Sequence, residues 1–177
     1  DLSRSMLAQD VEPTRLEAAR ESFMQLLLAL RGNRVGVLAF AGDAFVACPM
    51  TLDVDMAQTI LSALDTGTIG EQGTDIGRAI DVAIGAFERG AVEGGRALIL
   101  ITDGEDLEGE GAAAAARAAA AVIVIHAIGI GTELGGPIPL EEGGFQEDPS
   151  GQKVNTQMQL ETLRAIAQAA GGQAFAA

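Results

Sequence analysis

Residues 97–106 read Ala97-Leu98-Ile99-Leu100-Ile101-Thr102-Asp103-Gly104-Glu105-Asp106. A run this short and continuously apolar is a strand buried on both faces, and the Thr-Asp-Gly that stops it leaves a hydroxyl and a carboxylate at its carboxyl end. Two other runs share its character. Val35-Gly36-Val37-Leu38-Ala39-Phe40 comes before it, and the stretch from Val122 to Ile130 comes after it, ended with the help of Gly129 and Gly131. A further extended piece, Ala44 to Met50, follows a turn at Gly42-Asp43.

Between these runs the apolar period changes to that of a helix. Leu16, Ala19, Phe23, Leu27 and Leu30 form a stripe behind Pro13, and Thr14 with Glu17 has capping-box spacing. The same reasoning predicts helices over Asp53 to Leu64, about Thr74 to Glu88, Gly111 to Ala121 and Gln159 to Ala170, the last closed by Gly171-Gly172. The alanine-rich Ala112 to Ala121 is read as structural, because alanine is the best helix former and packs closely. Thr132 to about Val154 reads as a polar, Gly/Pro-bearing loop. Buried strands alternating with helices imply an α/β fold: a doubly wound, mainly parallel sheet with helices on both faces. Ligands of such sheets sit at the carboxyl ends of the strands.

Composition narrows the function. The chain has 177 residues, 48% of them hydrophobic and 20% charged, which excludes a disordered chain and suits one folded domain. Lys plus Arg is 11 and Asp plus Glu is 25, a formal charge of −14 that repels phosphate backbones and anionic lipid headgroups, so no nucleic-acid partner is expected. The single cysteine, Cys48, forms no internal disulfide, and one His126 supplies no Cys/His zinc site. No apolar run is long enough to span a bilayer, so these 177 residues are expected to be soluble by themselves.

Three segments place oxygen ligands where such a sheet binds. Asp1-Leu2-Ser3-Arg4-Ser5 opens the chain, Gly73-Thr74-Asp75 opens a helix and Thr102-Asp103-Gly104-Glu105-Asp106 ends a strand. Hydroxyls from Ser3, Ser5 and Thr74 with carboxylates from Asp1 and Asp103 make an all-oxygen set suited to a hard divalent ion such as Mg²⁺. Neutral hydroxyls in contact, with carboxylates near, leave the ion electrophilic enough to take one anionic ligand from outside.

Asp1-x-Ser3-x-Ser5, Thr74 and Asp103 resemble, in order and spacing, the metal-ion-dependent adhesion site of von Willebrand factor type A domains. The resemblance covers the whole chain, 1–177. Asp-Leu-Ser-Arg-Ser-Met at 1–6, Cys-Pro-Met-Thr-Leu-Asp at 48–53, Gly-Thr-Asp-Ile-Gly at 73–77, Ile-Thr-Asp-Gly-Glu-Asp at 101–106, Gly-Ile-Gly-Thr at 129–132 and Gly-Gly-Pro-Ile-Pro at 135–139 are similar to the bacterial aerotolerance BatA/BatB branch. The resemblance implies Ser3 and Ser5 as direct ligands, Thr74 as a ligand direct or through water, and Asp1 and Asp103 as carboxylates in or just outside the coordination shell. The ion would be Mg²⁺, with Mn²⁺ or Ca²⁺ as alternatives, and a partner protein's carboxylate would complete it. Arg4, Asp75, Glu105 and Asp106 are candidate partner contacts. The branch further implies a protein anchored in the bacterial inner membrane with this domain periplasmic. Its partners would include related proteins of the same type and a MoxR-type AAA+ ATPase system, in envelope stress tolerance.

In that family Asp1 would end a central hydrophobic strand, which nothing here supplies. The chain is therefore expected to be an N-terminally truncated fragment, poorly stable or dependent on another chain, with an α-amino charge beside the metal. A cooperative, high-temperature melt would count against this.

Each residue has a plainer reading. Asp1, Ser3 and Ser5 could form a turn that caps a helix, Thr74 could be a helix N-cap, Asp103 could be ordinary turn chemistry, and Asp75 and Asp106 could cap or face solvent. Cys48 reads as a small buried hydrophobe, His126 as a hydrogen-bonded core or edge histidine, and Arg4 as exposed. The competing enzyme class is a haloacid-dehalogenase-type phosphatase, which wants a second Asp where Ser3 stands and a downstream Lys, while the only lysine is Lys153. A third reading is a structural domain with an inactive site. The balance favours a binding module without turnover. Of the acids, five lie in Asp103 to Glu110 and five in Glu133 to Asp148, both stretches starting at predicted strand ends, so the acidity is expected to surround the metal face.

Overall fold

The Thr14 hydroxyl accepts the Glu17 N–H and so starts α1 (Arg15–Ala29), satisfying a donor that the helix itself cannot. This computed structural model describes residues 1–90, 94–140 and 142–177. After α1, β1 (Val35–Phe40) and β2 (Ala44–Thr51) form an antiparallel pair joined by a tight turn, Phe40 facing Ala44. Asp53 and Asp75 begin α2 (Val54–Ala63) and α3 (Ile76–Arg89) by accepting the N–H groups of Met56 and Arg78. Then β3 (Arg96–Thr102), α4 (Gly111–Ala120), β4 (Ile123–Gly129), α5 (Leu160–Ala169) and β7 (Ala174–Ala176) complete a parallel βαβαβ unit. Between β4 and α5 the chain makes a hairpin-like excursion held by β5 (Gly136–Pro137) against β6 (Asn155–Thr156) and by bridges at Pro139–Phe145 and Glu147–Lys153. This excursion and β7 are the elements that periodicity did not predict. Both are too short to show an alternation.

Alternate residues of β3 serve opposite layers. Leu98 and Leu100 pack with α3, α4 and α5, through Ile80, Ala115 and Leu163 among others. Ile99 and Ile101 pack with Ala19 of α1 and Met6. The helices thus cover both faces, as expected. Alanine in α4 has the structural use foreseen: Ala114, Ala115 and Ala118 are buried, and α3 approaches so closely that a Cβ on Gly77 would lie 2.8 Å from Glu110 Cβ. Cys48 is buried in the cluster of Val37 and Leu27, and His126 Nδ1 accepts the Gln173 N–H.

Between β1 and β3 the described residues form no strand, and a cavity of about 670 Å³ runs there, lined by Val35, Val37, Leu98, Leu100, Phe23 and Phe87. Asp1 and Leu2 bridge its carboxyl end. Leu2 N–H donates to Phe40 O at 2.7 Å, and the α-amino group of Asp1 donates to Ile101 O at 3.2 Å. No helix among the described residues is long and apolar enough to cross a membrane.

Candidate metal centre

The carboxyl ends of β1 and β3 assemble the site. Phe40 O and Ala41 O, consecutive carbonyls at the end of β1, accept the N–H groups of Leu2 and Asp75, so the Ser3–Ser5 turn and Thr74 hang from one rim. From β3, the loop after Asp103 crosses to the same rim, where Leu107 N–H donates to Thr74 O at 3.1 Å. Asp1 joins the two sides: its Oδ2 accepts the Thr102 hydroxyl and its Oδ1 accepts the Ser3 N–H at 2.8 Å. The structure thus brings Asp1, Ser3, Ser5, Thr74 and Asp103 to one face.

Their surroundings separate the sharp readings from the plain ones. Ser3 and Ser5 are buried with their hydroxyls 2.9 Å apart, and Ser3 makes no side-chain capping bond to the 3₁₀ turn Arg4–Leu7 that it precedes. Thr74 is buried, the N-cap of α3 is its neighbour Asp75, and among the described residues no hydrogen bond engages the Thr74 hydroxyl. Asp103 does use turn chemistry, its Oδ1 accepting the Glu105 N–H at 3.2 Å.

The sequence reading missed the residues behind Asp103. Arg15 is fully buried and donates through Nη1 to Asp103 Oδ2 at 2.9 Å and to the Thr156 hydroxyl at 3.0 Å. Its Nε and Nη2 grip both oxygens of Asp10, at 2.8 and 2.9 Å, and Nη2 also reaches Thr156 O. Asp10 in turn accepts the N–H and hydroxyl of Thr132. A signal was available: Arg15 stands four residues ahead of Ala19 in the stripe Ala19, Phe23, Leu27, a lone charge in register with a buried face. Burial alone would raise the Asp10 carboxyl, but the bonds from Arg15 and Thr132 outweigh it and hold it below the usual carboxylate range. Burial likewise raises the Glu105 carboxyl, which accepts the Thr156 hydroxyl.

Among the described residues no group of three or more His, Cys, Asp or Glu side chains is placed to hold a metal, so a cation at this face would need the hydroxyls among its ligands. Buried hydroxyls backed by carboxylates are the donor chemistry of a hard cation that keeps some of its water.

The partner-facing residues divide. Arg4 is exposed beside the serines. Glu105 is partly buried against Thr156, while Asp75 caps α3 and Asp106 accepts the Gly111 N–H at the head of α4, the capping role that the plainer reading gave these two. Leu107, which the sequence did not single out, is 68% exposed beside Thr74. Glu105, Asp106, Glu108 and Glu110 follow Asp103 directly, and within the second acidic stretch Glu141 lies outside the described residues.

Residues 1–105 match the family described as von Willebrand factor type A domain. The crystal structure of a conserved hypothetical protein BatB from Bacteroides thetaiotaomicron superposes with a TM-score of 0.94 at 39% identity, covering 100% of this chain and 86% of that one. An aerotolerance-related membrane protein from Bacteroides fragilis gives 0.95 at 38%, covering 100% and 88%. A UPF0353 protein of Mycolicibacterium paratuberculosis is 31% identical over 186 residues, covering all of this chain and 54% of the relative, so the chain spans about half the length of that curated relative.

Proposed function

From the premise that the chain belongs to the von Willebrand factor type A family, we propose that its carboxyl-end face is a divalent-cation site that captures a carboxylate of a partner protein. Ser3 and Ser5 hold the ion directly, Thr74 directly or through water, and Asp1 and Asp103 balance its charge. The observation that carries this is the buried pair of serine hydroxyls 2.9 Å apart, beside a Thr74 hydroxyl that no described residue engages. When bound, the ion supplies a Lewis-acidic position for one outside anion. The protein's own residues orient it: the Thr102 hydroxyl fixes Asp1, and Arg15 fixes Asp103. We read the site as one of recognition without turnover, the use that the resemblance to the adhesion-site family implies.

A partner meeting this face offers one coordinating carboxylate within a neutral or basic patch, since the rim carries Glu105, Asp106, Glu108 and Glu110. Arg4 and Leu107 are its further contacts. In the whole protein we place the domain on the periplasmic side of a bacterial inner membrane, within an aerotolerance complex of related proteins and a MoxR-type AAA+ ATPase. The resemblance to the BatA/BatB branch supports that placement. The test is affinity capture by the full-length protein with and without EDTA. Loss of all specific partners on chelation is the expected result, and identical partner lists would overturn the reading. Phosphate release from a generic phosphoester would instead favour the hydrolase alternative.

A further inference from the structure

The excursion between β4 and α5 returns through residues 155–159, and this return leg is bonded to the segment that presents Asp103. Gln159 N–H donates to Asp103 O at 2.7 Å, while the Gln157 N–H and the Thr156 hydroxyl both reach the Glu105 carboxyl, the hydroxyl at 2.8 Å. Glu105 N–H in turn donates to Asp103 Oδ1 at 3.2 Å. Between them stands Gly104, with φ +83°, so close to the return leg that a Cβ there would lie 2.8 Å from Gln159 O. A glycine at the centre of a short loop leaves it conformationally free unless something else holds it. Here the return leg does.

Thr156 is the pin of this brace. It is fully buried, and its hydroxyl accepts from Arg15 Nη1 at 3.0 Å, the same nitrogen that donates to Asp103 Oδ2 at 2.9 Å. A guanidinium only donates, so the hydroxyl's own proton goes to Glu105. One hydroxyl therefore meets the Asp103 loop from two sides, through Arg15 and through Glu105. Thr156 is itself fixed: its carbonyl accepts Arg15 Nη2 at 2.9 Å, and the outgoing leg approaches until a Cβ on Gly135 would lie 2.0 Å from that oxygen. A cation that uses Asp103 would otherwise have to order this loop at the expense of its own affinity.

Resting on the divalent-cation reading above, we propose that the return leg of the excursion is part of the cation face, and that Thr156 is a positioning residue that holds the Asp103–Glu105 loop ready for the ion. Linkage is reciprocal, so whatever the return leg does for the ion, the ion must do for the return leg. Residue-resolved hydrogen exchange of the wild-type chain in MgCl₂ and in EDTA reads this without any variant. Mg²⁺ should slow exchange at Gln157 and Gln159 together with Glu105, and leave the tip of the excursion, 142–152, unchanged. Protection confined to the Asp103–Glu105 loop overturns the inference, and so does an equal gain at the tip, which would mean general stabilisation.

Titration calorimetry with MgCl₂ tests Thr156 itself. Partners of metal ligands change affinity by about tenfold or more; Thr156 acts one step further back, so Thr156→Val, which keeps the shape and loses the hydroxyl, should weaken binding by about fivefold. Thr156→Ser keeps the hydroxyl and should bind as the wild type does. Circular dichroism checks that both variants fold. Unchanged affinity in folded Thr156→Val, or an equal loss in both variants, overturns the role of the hydroxyl while leaving the cation site standing. Should Thr156→Val fail to fold, the exchange pattern of the wild type decides. Failure of the wild type to bind Mg²⁺ overturns the cation reading and this inference with it.

Discussion

The two edges of β3 meet opposite fates. One edge pairs with β4 residue for residue, from Arg96–Ile123 to Thr102–Gly129, and packs under α3, α4 and α5. The other faces the cleft, where Asp1 alone among the described residues bonds to it, at Ile101 O. Side chains are apolar on both flanks, so hydrophobicity does not distinguish them. Partnering of backbone groups does, because a strand edge in an apolar cleft leaves peptide donors and acceptors without the ladder that offsets their desolvation. The metal face lies across the top of this divide, with Thr74 hung from the β1 side, Asp103 from the β3 side and Asp1 between them.

Cavity-making substitutions give the largest contrast. Ile125 is fully buried on the paired flank, and Ile125→Ala should cost about 3 kcal/mol. Leu38, partly buried against the main core and lining the cleft, should lose less, about 2 kcal/mol on Leu38→Ala, because part of its side chain is already exposed. Urea midpoints measure both. Equal losses would show that the cleft is closed in solution.

An ion at the top of the divide should tie the flanks together. At 100 times its dissociation constant Mg²⁺ should add about 2.7 kcal/mol to stability. The added hydrogen-exchange protection should be greater in β1 and β2 than in β4, which is already paired. Ser3→Ala with Ser5→Ala should abolish both effects. Uniform protection across the sheet would mean that the ion stabilises the domain without bridging the cleft.

The excursion that includes β5 and β6 hangs on the same seam through Asp10 and Arg15. Asp10→Asn should weaken its attachment by about 2 kcal/mol, the scale of a charged hydrogen bond. The pH dependence has a fixed sign. The Asp10 carboxyl lies below its ordinary value of 3.8 when folded, so its contribution is fully present above that value and is lost as pH falls through the lower folded one. Exchange at Thr156 and its neighbours should therefore be unaffected by this group between pH 7 and 5 and quicken below about 3.8. Quickening already at pH 5 would point to another group.

Legibility in the sequence follows the same physics. Strands β1, β3 and β4 and the helices were readable because burial on both faces makes a strand continuously apolar, and burial on one makes a helix periodic. The site residues were readable because a turn with Ser3 and Ser5, Thr74 and Asp103 stands at predicted strand and helix ends. Arg15 was not singled out, since a charge inside a helical stripe looks like a gap in the pattern until Asp10, five residues before it, and Asp103 and Thr156, from distant segments, are seen to converge on it. The two-residue β5 and β6 leave no period at all. Asp75 and Asp106 carry the same chemistry whether they cap a helix or meet a partner, and the capping bonds became visible only with the positions of Arg78 and Gly111.

The smallest expected effect bears on how much strain each flank tolerates. Val122, at the turn from α4 into β4, is 80% exposed with φ +59°, a left-handed conformation that a β-branched residue rarely adopts. The seven-residue register of β4 on β3 begins one residue later and holds it there. Gly32, in the turn leading to β1 on the cleft side, has φ +91° with nothing near its missing Cβ. Val122→Gly should therefore gain about 1 kcal/mol and Gly32→Ala should lose about as much, since neither changes a packing contact. Thermal melts of the two variants read the pair of signs directly. A loss at Val122 would mean that its side chain packs in solution, and the paired flank would then owe its stability partly to that contact rather than wholly to its backbone ladder.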